Sequence, residues 1–534
     1  MIWSQGSKSI DRSFLISIVF LFAVSGFAAA QDKDQEKEKK SSAPATSKSA
    51  PASKPAPEAK PGSSTGAKPG GTTAGTPGST TGSKPGGTTN TISDGVAGAK
   101  PGGASYTKAP STVNRPGGGK SITNARGDTT NFNTNGLRTS VETSNGTRAN
   151  FDRGGRVSSI HTRNGLTINY GAGGERRFVS VRPRGSRVVG FGYGLGFVER
   201  SYYRGGRPSM QRTYFYGGRS YAYSYRGYYW RGRLYYGFVP AFYYAPAFYG
   251  WAYNPWATPI AFGWGWGGAA WFGFYGYYFA PAPFYVSPAF WLTDYLIAAN
   301  LQAAYEAGAA AQANANAQAA ADDQAASGGG SVGLSPEVKQ QIADEVRAQI
   351  AAQRDAAAQP APAGAVTSNP PAGGLQNDPD ELPAALDPAH RTFIVSAVLA
   401  SPLPDGTECS LSPGDVLTRI QDTPDADQKV KVIVASSQKN DCASGSQIAV
   451  AVQDLQDMHN DFQAKINEGL GKLAENQGKN GMPAGPASGA KANPDGQAQS
   501  DPTVEADLKA QQDEANQAEK EVQDASASGS ANDD

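Results

Sequence analysis

Glycine, asparagine and aromatic residues recur at intervals of 19 positions in residues 127–174. The recurring positions are Gly127, Gly146 and Gly165; Asn131, Asn150 and Asn169; Phe132, Phe151 and Tyr170; and Gly136, Gly155 and Gly174. Short alternating runs lie between Asn-Gly and Gly-Gly pairs, which tolerate the positive φ that tight hairpin turns require. Each unit therefore predicts two strands and two turns, and the series predicts an antiparallel β-meander of 19-residue repeats.

One unit of the series, residues 151–160, reads FDRGGRVSSI. It resembles the YD repeat of RHS-type secreted proteins, and the resemblance extends over about residues 127–220. The resemblance implies an extracellular β-repeat scaffold, a type associated with carbohydrate contact or toxin packaging. Asn133 and Gly171 stand where the repeat has aspartate, and no toxin domain or autoprotease follows. Only the geometry of strands and turns is therefore carried over to this chain.

The formal charge of +1 conceals a division of the chain into charged blocks. Residues 100–233 contain 23 Lys and Arg against 5 Asp and Glu, whereas residues 294–534 contain 14 against 35. Residues 234–293 contain no charged residue at all. Blocks of this kind bear on partners and solubility rather than on the fold. The sequence leaves open whether the basic and acidic parts contact each other.

The first thirty residues have the composition of a secretory signal peptide. Lys8 and Arg12 precede an apolar run over residues 14–27, and small residues lead to a predicted cleavage point between Ala30 and Gln31. The run is too short to cross a hydrocarbon core of roughly 30 Å comfortably, and an uncleaved anchor is the alternative. We therefore expect an exported protein, located in the periplasm, on the cell surface or outside the cell.

Three segments have compositions that do not build a core. Residues 31–126 are rich in Lys, Pro, Gly and Thr and predict a disordered tether. Residues 359–388 predict a Pro/Gly linker, and residues 476–534 predict an acidic disordered tail. We therefore expect extensive disorder around the β-rich parts.

Tyrosines and arginines alternate through the later part of the basic β-repeat region, residues 127–233. Tyrosines at every second position predict a sheet with an aromatic face, over which guanidinium groups can lie. We predict that this face contacts an envelope polyanion or glycan, with nucleic acid less favoured. The competing interpretation is a sheet whose arginines only keep it soluble. The candidate surface-binding residues are Arg204, Arg207, Arg212, Arg219, Tyr214, Tyr216, Tyr223 and Trp230.

The uncharged block, residues 234–293, has 25 aromatic residues in 60 positions, including six of the eight tryptophans. So much apolar surface needs a partner. Three arrangements could bury this surface: packing of the block on the preceding sheet, shallow insertion into a membrane surface, or self-association. Glycine and proline interrupt the block, which argues against a helix that spans a bilayer.

Residues 294–358 are rich in alanine and predict a helical connector. Its second helix is expected to begin at Ser335 as N-cap, with Pro336 in the first turn. The residues Val338, Ile342, Val346 and Ile350 then form one apolar stripe, which predicts a packing face or a dimerisation face of coiled-coil type.

Residues 389–475 contain several alternating apolar runs followed by an amphipathic stretch. They predict a small five-stranded SH3-like barrel with a C-terminal helix, which is expected to dock a protein partner. The turn at residues 411–417 resembles turns of PDZ and SH3-like domains. Cys409 and Cys442 are predicted to form a disulfide, since an isolated cysteine pair in an exported chain favours a bridge.

The sequence contains no recognisable catalytic arrangement. His161, His390 and His459 are far apart, and there is no His-Glu-x-x-His or Cys-x-x-Cys spacing. We therefore predict a non-catalytic, structural, adhesive or ligand-binding protein of the cell envelope, with no cofactor and no metal site. The first alternative is a membrane-associated protein that inserts the uncharged block. The second is an unrecognised envelope hydrolase that uses two carboxylates. The oligomeric state is left open.

Overall fold

Thirteen consecutive strands pair only with their neighbours in the chain and form one antiparallel sheet. The computed structural model describes residues 111–116, 118–315, 333–358 and 382–530. In these residues the fold is mainly β with few helices, as the sequence predicts. The strands of the large sheet are β1 (Ser111–Asn114), β2 (Lys120–Thr123), β3 (Thr129–Phe132), β4 (Arg138–Glu142), β5 (Arg148–Phe151), β6 (Val157–His161), β7 (Thr167–Tyr170), β8 (Arg176–Val181), β9 (Arg187–Gly192), β10 (Leu195–Arg204), β11 (Arg207–Tyr216), β12 (Arg219–Trp230) and β13 (Arg233–Val239).

Several sequence predictions fall outside the described residues. They include the signal peptide, its cleavage point between Ala30 and Gln31, most of the tether and most of the linker 359–388. The predicted C-terminal boundary of the disordered tether, residues 31–126, is wrong, because strands β1 and β2 lie within this range. Strand β2 pairs with both β1 and β3, so the sheet begins before the first of the recurring glycines.

A glycine with positive φ lies in each hairpin turn between β2 and β8. In the β4–β5 turn, Gly146 has a φ of 89°, and its N–H donates to the carbonyl oxygen of Thr143 at 2.9 Å. A left-handed backbone disfavours any residue with a Cβ by about 1–2 kcal/mol, so glycine is the residue that fits this turn. The equivalent glycines of the other turns are Gly127, Gly136, Gly155, Gly165 and Gly174.

The rest of the described chain contains six α-helices and eight short strands. The helix that starts at Pro336 begins where the sequence predicts, and the hydroxyl of Ser335 accepts a hydrogen bond from the N–H of Val338 at 3.3 Å. These elements are β14 (Phe242–Tyr243), α1 (Pro246–Tyr253), α2 (Ala270–Tyr275), α3 (Pro288–Ala315), α4 (Pro336–Ala358), β15 (Thr392–Ile394), β16 (Leu399–Pro402), β17 (Glu408–Leu411), β18 (Val416–Arg419), β19 (Lys429–Ser436), β20 (Gln447–Ala451), α5 (Val452–Asn476), β21 (Lys491–Ala492) and α6 (Val504–Ser530).

One face of the large sheet carries an apolar row that crosses β4–β8, which we call the apolar ladder. Its members are Val141, Ala149, Ile160, Ile168 and Phe178, which stand in register and are at most 1% exposed. Helix α6 packs on this row and forms a common core with it. The burial of these side chains removes apolar surface from water, at about 25 cal/mol per Å².

Helix α6 contradicts the prediction that residues 476–534 form a disordered acidic tail. Its buried positions recur every three or four residues, as on one face of a helix. Alanine supplies several of them and buries little apolar area, so the stripe is faint among the acidic residues. The apolar ladder provides the partner surface that orders the helix. The buried residues of α6 include Val504, Leu508, Gln511, Ala515, Ala518, Val522 and Ala525.

The uncharged block, residues 234–293, packs largely within the protein. Many of its aromatic rings form one core with helices α3, α4 and α5, so the helices cover it more than the sheet does. The apolar stripe of α4 lies in the same core, and this accounts for it as a packing face. No described helix is both long enough and apolar enough to cross a membrane. The most deeply buried rings of the block are Phe248, Tyr249, Tyr275, Phe279, Tyr285 and Trp291.

The C-terminal domain, residues 389–475, has six strands in two sheets, one strand more than the sequence predicts. Strands β15, β18, β19 and β20 form a four-stranded sheet, and β16 and β17 form a separate hairpin. Proline at the end of β16 has no N–H for a further sheet bond. The hairpin instead reaches the large sheet, where Glu408 bridges to Asp152. The Sγ atoms of Cys409 and Cys442 are 2.09 Å apart, so the predicted pair lies at disulfide distance.

Candidate functional site

The face opposite the apolar ladder begins with a row of alternating asparagine and serine side chains across β2–β7. Asn131 Nδ2 donates to Ser140 Oγ at 2.9 Å, and Asn150 Nδ2 donates to Ser159 Oγ at 3.0 Å. The β16–β17 hairpin covers this row, since Glu408 accepts hydrogen bonds from Asn150 and Ser159. The recurring asparagines of the sequence therefore join strands to each other and to the C-terminal domain.

The same face continues with arginines that meet the acidic start of helix α5. Arg212 donates to Glu199 at 2.6 Å and to Asp457 at 2.9 Å, and Arg187 donates to Asp457 at 2.7 Å. Arg177 contacts Asp454 at 3.1 Å. We call Arg177, Arg187 and Arg212 the face arginines. Their side chains are at most 14% exposed, so their charges are balanced inside the protein.

The electrostatics of this cluster follow from burial and from charge. Burial alone raises the pKa of a carboxyl group, but Arg187, Arg212 and Arg177 together lower the pKa of Asp457 to about 2. Asp457 is therefore ionised at any physiological pH. The basic and acidic parts of the chain, whose contact the sequence leaves open, are joined here.

The tyrosines of this face also have partners within the chain. The ring of Tyr214 stacks on Tyr221, with centroids 5.1 Å apart and planes within 6°. The hydroxyl of Tyr216 donates to Glu306 in α3, and that of Tyr223 donates to Glu468 in α5. Helices thus cover the aromatic face that the sequence predicts as a binding surface.

Two of the predicted surface-binding residues are buried, which contradicts their assignment. Arg212 is 2% exposed within the charge cluster, and Trp230 is 6% exposed in the core of the C-terminal domain. Arg219 is exposed but begins β12 beside the β11–β12 turn, at the opposite end of β11 from Arg207. The sequence could not show the burial of Arg212, because its partner Asp457 in the covering helix α5 lies 245 positions further along the chain.

The remaining predicted arginines lie beside the β10–β11 turn, and two further arginines lie beside the β12–β13 turn. Arg204 and Arg207 flank the β10–β11 turn, and Arg231 and Arg233 flank Gly232 in the β12–β13 turn. All four are exposed, as is Tyr203, whose exposed fraction is 71%. We call these five residues the basic tip. Sequence reasoning missed Arg231 and Arg233, although their Arg-Gly-Arg spacing resembles the Arg-Gly-Gly-Arg of the other turn.

The charges of the basic tip are largely free. Arg204 approaches Asp495 at 3.3 Å, but the side chain of Asp495 is 76% exposed, so this pair is weak. Arg207, Arg231 and Arg233 form no ion pair with any described residue. The tip can therefore offer guanidinium groups to an external anion.

Backbone geometry fixes one of these guanidinium groups. Arg231 has a φ of 47° and Gly232 a φ of 74°, the combination that a type I′ hairpin turn uses. A left-handed backbone conformation is unfavourable for arginine, and at Arg231 a side-chain contact with the neighbouring tryptophan accompanies this conformation. The guanidinium carbon lies 4.6 Å from the centre of the Trp230 ring, so a cation–π contact orients Arg231 at the turn. Beside it, Arg233, Asp427 and Gln453 line a cavity of about 470 Å³.

A second exposed surface lies in the uncharged block. A groove of about 550 Å³ is lined by aromatic residues and prolines near the start of α4. Phe284 is 64% exposed, Val286 46% and Tyr277 45%. Lys339 at its border is held by Asp294 at 2.8 Å.

Two of the three histidines meet inside the protein, which the sequence did not predict. His390 Nδ1 lies 2.7 Å from Glu345, and the rings of His390 and His459 are 5.1 Å apart. Burial, and then the charge of His390, lower the pKa of His459 to about 3. Among the described residues, no three His, Cys, Asp or Glu side chains are placed to hold a metal ion.

No protein-family model, curated protein or solved structure matches this chain. The functional argument therefore depends on the geometry of the chain itself.

Proposed function

We propose that this chain is an exported, non-catalytic protein that binds anionic or glycan surfaces of the cell envelope through its basic tip. One contrast carries the proposal. Carboxylates within the protein balance the face arginines, whereas Arg207, Arg231 and Arg233 are exposed and form no ion pair in the described chain. A guanidinium group can hold a carboxylate, phosphate or sulfate group through two parallel hydrogen bonds.

Two features of the chain support an exported location. The first thirty residues have the composition of a signal peptide. Cys409 and Cys442 lie at disulfide distance, and disulfides persist in oxidising compartments outside the cytosol. The same surroundings are rich in anionic wall polymers and glycans, which suit a basic tip.

The proposal is tested with the full chain, because the C-terminal half covers the large sheet. The chain is incubated with purified wall polymer, anionic lipid vesicles and RNA, over a salt series from about 0.05 to 0.5 M. We expect recovery on wall polymer that falls steeply as salt rises. The variant R207S/R233S should bind several-fold less. The variant R115S/R219S is the matched control, since it removes two exposed arginines away from the tip. Equal recovery on all three matrices, or none on wall polymer, would contradict the proposal.

A second candidate function is attachment to a membrane surface through the uncharged block. The exposed side chains of Phe284, Val286 and Tyr277 favour it, since aromatic residues suit the membrane interface. Release of the chain from membranes by a high-salt wash would support electrostatic docking. Retention until detergent is added, with loss in F284S/V286S, would support insertion.

Finer expectations from the sequence remain proposals. They are the likeness of residues 127–220 to YD repeats, the likeness of residues 389–475 to an SH3-like barrel, and a protein partner for that domain. The hydrolase alternative is tested by turnover of envelope glycans that a single carboxylate substitution abolishes.

A further inference from the structure

The alternating turns of the large sheet create two edges with different charge. In a meander of hairpins, the turns that follow even-numbered strands all lie at one edge, and those that follow odd-numbered strands lie at the other. We call the first edge, which ends in the basic tip, the arginine edge. Neighbouring strands are about 4.8 Å apart, so successive turns at one edge are separated by about 10 Å.

Every hairpin of the arginine edge has at least one arginine in its turn or beside it. Residues of this edge therefore form a row along the sheet, not a single cluster. In the order of the hairpins they are Arg126; Arg148; Arg163; Arg182; Arg204 and Arg207; and Arg231 and Arg233.

Most of these arginines are available to a ligand, but Arg182 is partly buried and contacts Glu514 at 3.4 Å. Arg126, Arg163 and Arg207 are exposed and have no ion pair in the part of the chain that the structure describes. Arg148 is also exposed and donates only to Asn150, at 3.1 Å. Glu142 on the neighbouring strand β4 pairs in register with Arg148, so a carboxylate lies close to this arginine. Arg148 is therefore not one of the substituted positions.

Most arginines of the opposite edge have a carboxylate partner in the chain, which lowers the net positive charge of this edge. Arg153 contacts Asp405 at 2.8 Å, Arg156 contacts Asp152 at 2.8 Å and Arg176 contacts Glu519 at 3.1 Å. Only its outer hairpins keep exposed arginines without an ion pair among the described residues, at Arg115 and Arg219. Glu514 and Glu521 also lie at the arginine edge, where Glu514 contacts Arg182 and Glu521 accepts hydrogen bonds from Thr143 and Thr147. The clearest difference between the two edges is therefore at Arg126 and Arg163, which are exposed and have no ion pair in the described chain.

We infer that the arginine edge is an extended binding site for a linear anionic polysaccharide, with the basic tip as one end of the site. This inference rests on the proposed function and names its ligand class. A single exposed ion pair is weak, so a small anion or one lipid headgroup gains little. A polymer with a negative group on each repeating unit can contact several arginines at once, and each further contact is intramolecular. The exposed ring of Tyr203 at the tip also suits the face of a sugar.

The test measures dissociation constants of the full chain for oligogalacturonides of graded length, which carry one carboxylate per sugar. We expect affinity to rise with length and then to level off once an oligomer spans the edge. The variant R126S/R163S should weaken binding of the longest oligomers by about 3- to 30-fold, as expected for the loss of two exposed ion pairs. It should bind the shortest oligomers like the wild type, because they engage the tip alone.

The control R115S/R219S has the same change in net charge and removes two exposed arginines of the opposite edge. It should change the affinity for long oligomers by less than about twofold, since no contact is lost. Equal weakening by both variants would show that net charge alone matters, and would overturn the inference. Affinity that does not rise with length would overturn it as well.

Two further outcomes separate this inference from the proposed function. If the wild type binds no wall polymer or oligogalacturonide at any length, the proposed function fails too. If the tip variant R207S/R233S loses binding but R126S/R163S does not, the proposed function stands and the extended site fails. Tighter binding of poly(U) or of phosphatidylglycerol vesicles than of the longest oligogalacturonide would overturn the ligand class.

Discussion

The face arginines and the arginines of the edge come from the same basic part of the chain, residues 100–233, and have opposite environments. Arg212 is 2% exposed and touches two carboxylates, whereas Arg163 and Arg207 are exposed and form no ion pair in the described chain. Strand geometry produces the difference. A side chain on the covered face meets helix α5, whereas a side chain in a turn of the arginine edge projects beyond it.

This comparison teaches that one residue type can serve stability or binding according to its burial. A buried charge must be paired, because an unpaired charge away from water costs several kcal/mol. An exposed arginine needs no partner, because water solvates its charge, so an exposed arginine without an ion pair stays available to other anions. Net charge over residues 100–233 therefore overstates the basic surface that the protein presents.

The largest effect is expected from removal of Asp457. The substitution D457A leaves Arg187 and Arg212 with only Glu199 as a buried partner and should lower the free energy of unfolding by about 3–5 kcal/mol. Urea titration measures this change. The control R153A breaks an exposed contact with Asp405, where the arginine side chain is 63% exposed, and should cost at most about 1 kcal/mol. Similar losses in both variants would contradict the contrast.

The apolar ladder provides a comparison without charge. Ile168 is fully buried beneath α6, so I168A should lower the free energy of unfolding by about 3 kcal/mol through lost burial and a cavity. The loss should be the same at low and high salt, because no charge is involved. A loss that changes strongly with salt would argue against an apolar contact between α6 and the sheet.

The buried histidine pair extends the comparison to a group that titrates. Because the pKa of His459 is about 3 when folded and near 6.5 when unfolded, the unfolded chain binds more protons between these values. The contribution of neutral His459 to the free energy of unfolding is therefore present above about pH 6.5 and is lost as the pH falls towards 3. Asp415, whose pKa burial raises to about 7, acts in the opposite direction.

The appropriate measurement is thus the difference in unfolding free energy between the wild type and H459Q. From pH 7 to pH 4 this difference should shift by about 2–3 kcal/mol in favour of H459Q. The pKa of His390 is raised, because the attraction of Glu345 outweighs the effect of burial. The stability that protonated His390 contributes is therefore present below its unfolded pKa and is lost as the pH rises through its folded pKa. A difference that does not change with pH would show that His459 is not buried in its neutral form.

The smallest effect is expected at the arginine edge. Arg126 and Arg163 are exposed and have no ion pair in the described residues, so R126S/R163S should change the free energy of unfolding by less than about 0.5 kcal/mol per site. Urea titration of this variant also serves as the control for the binding test. A loss of more than about 2 kcal/mol would mean that these arginines stabilise the fold.

The parts that sequence predicted well depend on neighbouring residues. The turn glycines, the Ser335 cap and the apolar stripe of α4 can be recognised because the residues that interact are close in the chain. Helix α6 was missed since its stripe is mostly alanine and gains stability only against the apolar ladder. The separate β16–β17 hairpin was not foreseen, because it packs on a distant part of the chain.

The candidate site was predicted in part. Arg204 and Arg207 are exposed at the tip, but Arg212 and Trp230 are buried, and Arg231 and Arg233 were not foreseen. Alternation along a strand shows which residues share a face. It does not show which element covers that face, since this depends on contacts between distant segments.

The sequence by itself determined the hairpins, because a turn and its two strands are encoded within about ten residues. Only the tertiary structure decided which arginines are balanced and which are free. The partners of Arg212 and Arg176 lie 245 and 343 positions further along the chain, at Asp457 and Glu519. Coulomb attraction falls with distance in space and not in sequence, so the fold had to bring these charges together before their roles could be assigned.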